Sequence, residues 1–177
     1  MRNVVFVLTL IPAGALAQSH TEHPHEHGFG SLKVAFSGTE IALSLAVPSA
    51  DIVGFERPAE TDEGRALVAN AISDLSKPLE LFAVSQEAGC FTTSANVTLS
   101  SQGFGRTNSN TLADEQVNHI EFQADYQIQC QDMGALKGIQ FAFFDRFPMA
   151  KKLIVRVDRP GGSRAHDITR IAPNLAF

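Results

Sequence analysis

HIEFQADYQIQC, residues 119 to 130, constrains the fold of this chain more than any other stretch. Ile120, Phe122, Ala124, Tyr126 and Ile128 alternate with His119, Glu121, Gln123, Asp125 and Gln127. Successive side chains of an extended strand point to opposite faces, so this period of two predicts a strand with one face against a core and one toward water. A second alternating region, FGSLKVAFSGTEIALSLAV, has a turn signal at Ser37-Gly38 and reads as a β-hairpin ending at Pro48. GIQFAFFDRFP, KKLIVRVDRP and SRAHDITR supply further extended segments, with Arg159-Pro160-Gly161-Gly162 as a turn.

One segment has the other period. From Glu60 to Ser76, the residues Leu67, Val68, Ala71, Ile72 and Leu75 recur at helical spacing, and Lys77-Pro78 is a stop signal. LELFAV adds a helical turn before the chain becomes extended again at CFTTSANVTLS. Residues 101 to 118, SQGFGRTNSNTLADEQVN, are polar and aperiodic and read as a mobile loop. The expected fold is therefore a single α+β domain with an antiparallel sheet of about seven strands and one main helix. Phe141, Phe143, Phe144 and Phe147 are expected in its core, and Asp145-Arg146 in ion pairs or hydrogen bonds at a turn.

The first seventeen residues stand apart. MRNVVFVLTLIPAGALA carries Arg2, an apolar run from Val4 to Ile11 and small residues at Ala15 and Ala17, the pattern of a secretory signal peptide cleaved before Gln18. The run is short of the roughly 20 apolar residues a spanning helix needs. Residues 18–27 then form a His-rich N-terminal segment and residues 28–177 the folded domain, with a periplasmic location and no membrane span in the mature chain. Without Arg2, 13 basic residues face 19 acidic ones, a formal charge of −6, which disfavours nucleic acid as a partner.

The two cysteines, Cys90 and Cys130, are expected to form a disulfide in an oxidising compartment, stabilising the fold by ~3–4 kcal/mol through restriction of the unfolded chain. A pair of thiolate metal ligands is the competing reading. It would require both to stay reduced outside the cytosol, and they lack the close spacing of such sites.

Four of the six histidines lie in HTEHPHEHG, residues 20 to 28. Neutral imidazole nitrogen with some carboxylate suits zinc, copper(II) or nickel, whereas calcium and magnesium prefer oxygen. In an extended chain His23, His25 and His27 share one side, and Pro24 disfavours helix there. His119 and Glu121 form a second pair on the polar face of their strand. His166 is a further candidate, with Asp167 as a ligand or as an acceptor that orients a ligand histidine. The bland alternatives are a solvated histidine-rich tail, a His119 that only caps its strand, and a His166 that is only a surface residue.

Taken together, HEHGFGSLKVAF, EIALSLAVPSADIVGFE, the Gly89-Cys90 pair, HIEFQADYQIQC and FFDRFPMAKKLIVRV resemble the ZrgA-like periplasmic zinc-binding proteins, a bacterial family associated with zinc acquisition. The resemblance spans nearly the whole mature chain. It implies a secreted, zinc-associated protein that assists uptake, with a zinc importer of the cell envelope as partner and zinc preferred over copper(II); binding without catalysis is the expected role. Such proteins often carry a long histidine-rich insertion before the strand that begins here at His119, and SQGFGRTNSNTLADEQVN stands in its place. A compact site must then rest on His25, His27, His119 and Glu121, with His20, His23 and His166 as lesser candidates. This assignment assumes that the strand starting at Gly28 lies beside the one starting at His119.

Two other functions compete. A zinc-dependent hydrolase would use Glu26 or Glu121 as base, but HPHEH lacks the H-E-x-x-H spacing and no G-x-S-x-G or phosphate-binding glycine loop occurs. The other is a structural envelope domain with incidental histidines.

Overall fold

The alternating segments pair into a sheet whose order departs from the order of the chain. The computed structural model describes residues 28–101, 120–159 and 161–177. Strands β1 (Phe29–Ser37) and β2 (Glu40–Pro48) form the expected hairpin, with Ser37 opposite Glu40 and Gly38 at φ 58° in the turn. A short helix, α1 (Ser49–Val53), follows Pro48 directly. Helix α2 (Asp62–Leu75) is capped by Thr61, whose hydroxyl accepts from the Gly64 amide. α3 (Pro78–Leu81) then runs into β3 (Phe82–Ala83).

β4 (Phe91–Ser101) and β5 (Ile120–Gln129) pair along their length, followed by β6 (Gly138–Phe141) and α4 (Phe143–Arg146). The last strands are β7 (Lys152–Arg159), β8 (Gly162–Thr169) and β9 (Asn174–Ala176). The large sheet has the order β4-β5-β2-β1-β7-β8 and the small one β3-β6-β9.

The chain is thus a single small domain, mostly β with few helices. Two expectations need correction. The single sheet of about seven antiparallel strands is instead six strands plus three, and β1 runs parallel to β7, joined through more than a hundred residues of intervening chain. GIQFAFFDRFP is not one strand, because after Phe141 the chain turns into α4, whose Phe143 and Phe144 are both buried. The helix prediction holds, although α2 buries only Ala71 and Leu75 and leaves Leu67 exposed.

The core lies between the two sheets. Leu32 and Val34, Leu43 and Leu45, Phe122 and Tyr126, Leu153 and Val155 point inward from the large sheet, as period-two alternation requires. Phe82 stacks on Phe143 at 6.0 Å and meets Phe141 edge-on at 5.7 Å, and its ring also approaches Tyr126. The four core phenylalanines expected from sequence are all buried. Asp145 and Arg146 lie in ion pairs, to Arg170 and Asp74 respectively.

The disulfide is present. Phe91 lies opposite Gln129, so Cys90 and Cys130 face each other one step beyond the paired strands, bonded at 2.07 Å. This closes the β4–β5 pair at one end and excludes both sulfurs as metal ligands. No helix among the described residues is long and apolar enough to cross a membrane.

Candidate functional site

Strand register decides which candidate residues share an end of the sheet. Pro48, at the end of β2, lies opposite Glu121, and Glu121 lies opposite Ser100 near the end of β4. On the other side, Ser31 pairs with Ala46, and Phe29 pairs with Lys152 at the start of β7. The starts of β1 and β5 are therefore at the same end. They are not neighbours, which corrects the assumed pairing: β2 intervenes, leaving them two strand spacings apart, ~9.5 Å.

Three polar residues of the described chain are buried, Ser49, Asp51 and Glu121, and all lie at this end. α1 carries the first two and packs against both β2 and β5. Burying a carboxylate is costly unless hydrogen bonds or charge compensate it. Asp51, 4% exposed, has a partner: the Gly28 amide donates to both of its carboxylate oxygens at 2.8 Å. The Gly28 carbonyl in turn accepts from the Lys151 and Lys152 amides, each at 2.9 Å. Gly28 is held on both sides at φ 93°, and an added Cβ would meet the Lys151 side chain at 2.7 Å. The point where the His-rich segment joins the fold is consequently fixed.

Glu121 has the less expected environment. It belongs to the polar row of β5 with Gln123 and Asp125, yet is only 7% exposed. The Gln123 side-chain amide donates to its Oε1 at 2.5 Å, which orients the carboxylate. One place along the row, Asp125 accepts from the Ser44 hydroxyl at 2.8 Å. Nitrogen donors beside an oriented carboxylate would make a zinc-type donor set.

His20, His23, His25, His27 and His119 lie outside the described residues, as do the signal-peptide segment and most of the stretch read as a loop. Glu121 and His166 are described, and they are not brought together. His166 is on β8, with three strands between it and β5, roughly four strand spacings or ~19 Å in the plane of the sheet. Asp167 lies on the opposite face of β8 from His166 and pairs with Lys152 at 3.0 Å, so it does not orient that ring. Among the described residues no three His, Cys, Asp or Glu side chains group to hold a metal ion. A complete site needs donors from outside them. Asp51 was not singled out from sequence; its signal was an acid placed between Ala50 and the apolar Ile52-Val53, in the turn of chain that follows the strand-ending Pro48.

In class, this is a small β-rich domain whose buried polar groups gather at one sheet end, next to the attachment points of two histidine-bearing segments. A family model described as "ZrgA family zinc uptake protein" matches residues 24–177, and the chain belongs to that family. No curated protein matches it.

Proposed function

We propose that the protein is a non-catalytic zinc carrier of the periplasm, exported by cleavage after Ala17, that holds the ion with His25, His27 and His119 and assists an importer of the cell envelope. Family membership supports the role in zinc uptake. The observation that carries the residue assignment is the gathering of Ser49, Asp51 and Glu121 at the sheet end next in sequence to His27 and His119. His27 precedes a residue locked by Asp51, and His119 precedes a strand that pairs on both edges. Both histidines therefore start from fixed backbone, which lowers the entropy lost when they converge on an ion. Glu121 supplies a carboxylate to the ion or an acceptor to a ligand imidazole. His20 and His23, further from the anchor, serve as loose outer ligands.

Titration of the metal-free protein with zinc and copper(II), with stoichiometry from native mass spectrometry and affinity from calorimetry, tests the assignment. His119→Ala is expected to weaken the tightest zinc site at least as much as His20→Ala and His23→Ala combined. Unchanged tight binding in His119→Ala, together with complete loss on deleting residues 18 to 25, would transfer the function to the N-terminal segment alone.

A further inference from the structure

The far end of the large sheet breaks the alternation that builds the core. The inward row of β7 reads Leu153, Val155, Val157 and then Arg159, and that of β8 reads Arg164, His166 and Ile168. Strand pairing sets Val157 opposite Arg164 and Arg159 opposite Gly162. The two arginines are thus diagonal neighbours, ~7–8 Å apart at the backbone, on a face where apolar residues are the rule.

Arg159 is exposed and lies against two rings. Its guanidinium lies 5.1 Å from the centre of the Phe36 ring and 4.7 Å from that of Phe177. Those two rings stand at 88° to each other, so the guanidinium can lie flat on one of them at most, and the N–H groups not aimed at a ring stay available to an anion. Neither Arg159 nor Arg164 has a hydrogen bond or ion pair among the described residues. The adjacent acid, Asp158, points to the other face and pairs with Lys33 at 3.3 Å. Like charges side by side repel, and here they occur in a chain of formal net charge −5. They border a cavity of about 460 Å³, which His166, Val157 and Leu175 also line. That volume is in the range of small-molecule sites.

We propose that this cavity binds a small dicarboxylate, one carboxylate on the Arg159 fork, the other on Arg164, and the methylene body against Val157 and Leu175. The planar forks match carboxylate geometry, and the apolar floor favours an organic anion over a mineral one. The site is independent of the zinc assignment, since it lies on the other flank of the sheet. The bland alternative is that both arginines lay their aliphatic stems over apolar surface with the charges in water.

Side-chain NMR of 15N-arginine-labelled, metal-free protein, titrated with glutarate at fixed ionic strength, separates the two. Expected are saturable shifts of the Arg159 and Arg164 Nε–H signals, at least tenfold weaker binding of acetate and of inorganic phosphate, and at least tenfold weaker glutarate binding in Arg159→Gln and in Arg164→Gln. Both arginines are exposed, so both substitutions leave the fold testable. Shifts that never saturate, or that phosphate reproduces at equal concentration, would overturn the dicarboxylate site. So would a glutarate affinity unchanged in Arg164→Gln.

Discussion

Asp51→Ala tests whether the join between the His-rich segment and the fold is held as described. The carboxylate is buried and accepts the Gly28 N–H, shared between its two oxygens at 2.8 Å each. A hydrogen bond to a charged group contributes ~1.5–3 kcal/mol, and its removal leaves a buried backbone donor unsatisfied. The variant should lose ~1.5–3 kcal/mol, which for a domain of this size lowers the melting temperature by roughly 3–12 °C. Urea denaturation should show a lower midpoint with an unchanged slope, because the surface exposed on unfolding is the same. Hydrogen exchange gives a local readout: the Gly28 amide should be protected in the parent protein and exchange freely in the variant. In the zinc reading, affinity also falls, since His27 loses its fixed starting point. A wild-type Gly28 amide that exchanges at the rate of an unstructured chain, or a variant with the parent's urea midpoint, would refute the reasoning.

Two further outcomes follow from the core. Burial, with a smaller contribution from the Asp125 charge, pushes the Tyr126 phenol well above its ordinary value of 10.0. The unfolded chain therefore ionises first, and stability present below pH ~10 is lost as the pH rises beyond it. With one tyrosine and no tryptophan, absorbance at about 295 nm reports this group alone. Tyrosinate should appear together with the loss of the circular-dichroism signal; ionisation near pH 10 in folded protein would contradict the burial. In the small sheet, a Cβ at Gly138 would stand 2.2 Å from the Leu175 carbonyl oxygen of β9. Gly138→Ala should cost ~1–3 kcal/mol by thermal melting, as overpacking does in other cores, whereas a melting point within a degree of the parent's would show that β9 shifts freely.

Local pattern carried much of this fold into the sequence. The β1–β2 hairpin, the alternation of β5, helix α2 and the cysteine pair all rest on signals spanning a few residues or on an oxidising setting, and each was legible. The parallel contact of β1 with β7 was not, because nothing local distinguishes a strand that pairs with a neighbour from one that pairs across most of the chain. β3 and β9, at two and three residues, are too short to show any period. At the candidate site, Glu121 was found from its place in the polar row, while its burial depends on what packs over that face. Asp51 was missed because the Gly28 amide donates to it, and a backbone donor leaves no trace in residue types. His166 was legible as a histidine but not as an inward-facing one, since the alternation of β8 is broken by Arg164 on the same side.

The Cys90–Cys130 bond gives the chain two distinct folding histories. The loop it closes contributes ~3–4 kcal/mol, so the reduced chain has a folded-to-unfolded ratio lower by roughly a hundred- to a thousandfold. For a domain whose total stability is typically 5–15 kcal/mol, that is a large share. A newly made chain in a reducing environment would then spend far more of its time open. The β4–β5 pairing sets the two sulfurs face to face, and once they are bonded the edge of the large sheet cannot peel away from its disulfide end. Oxidation thus acts as a ratchet, slowing return to the open chain.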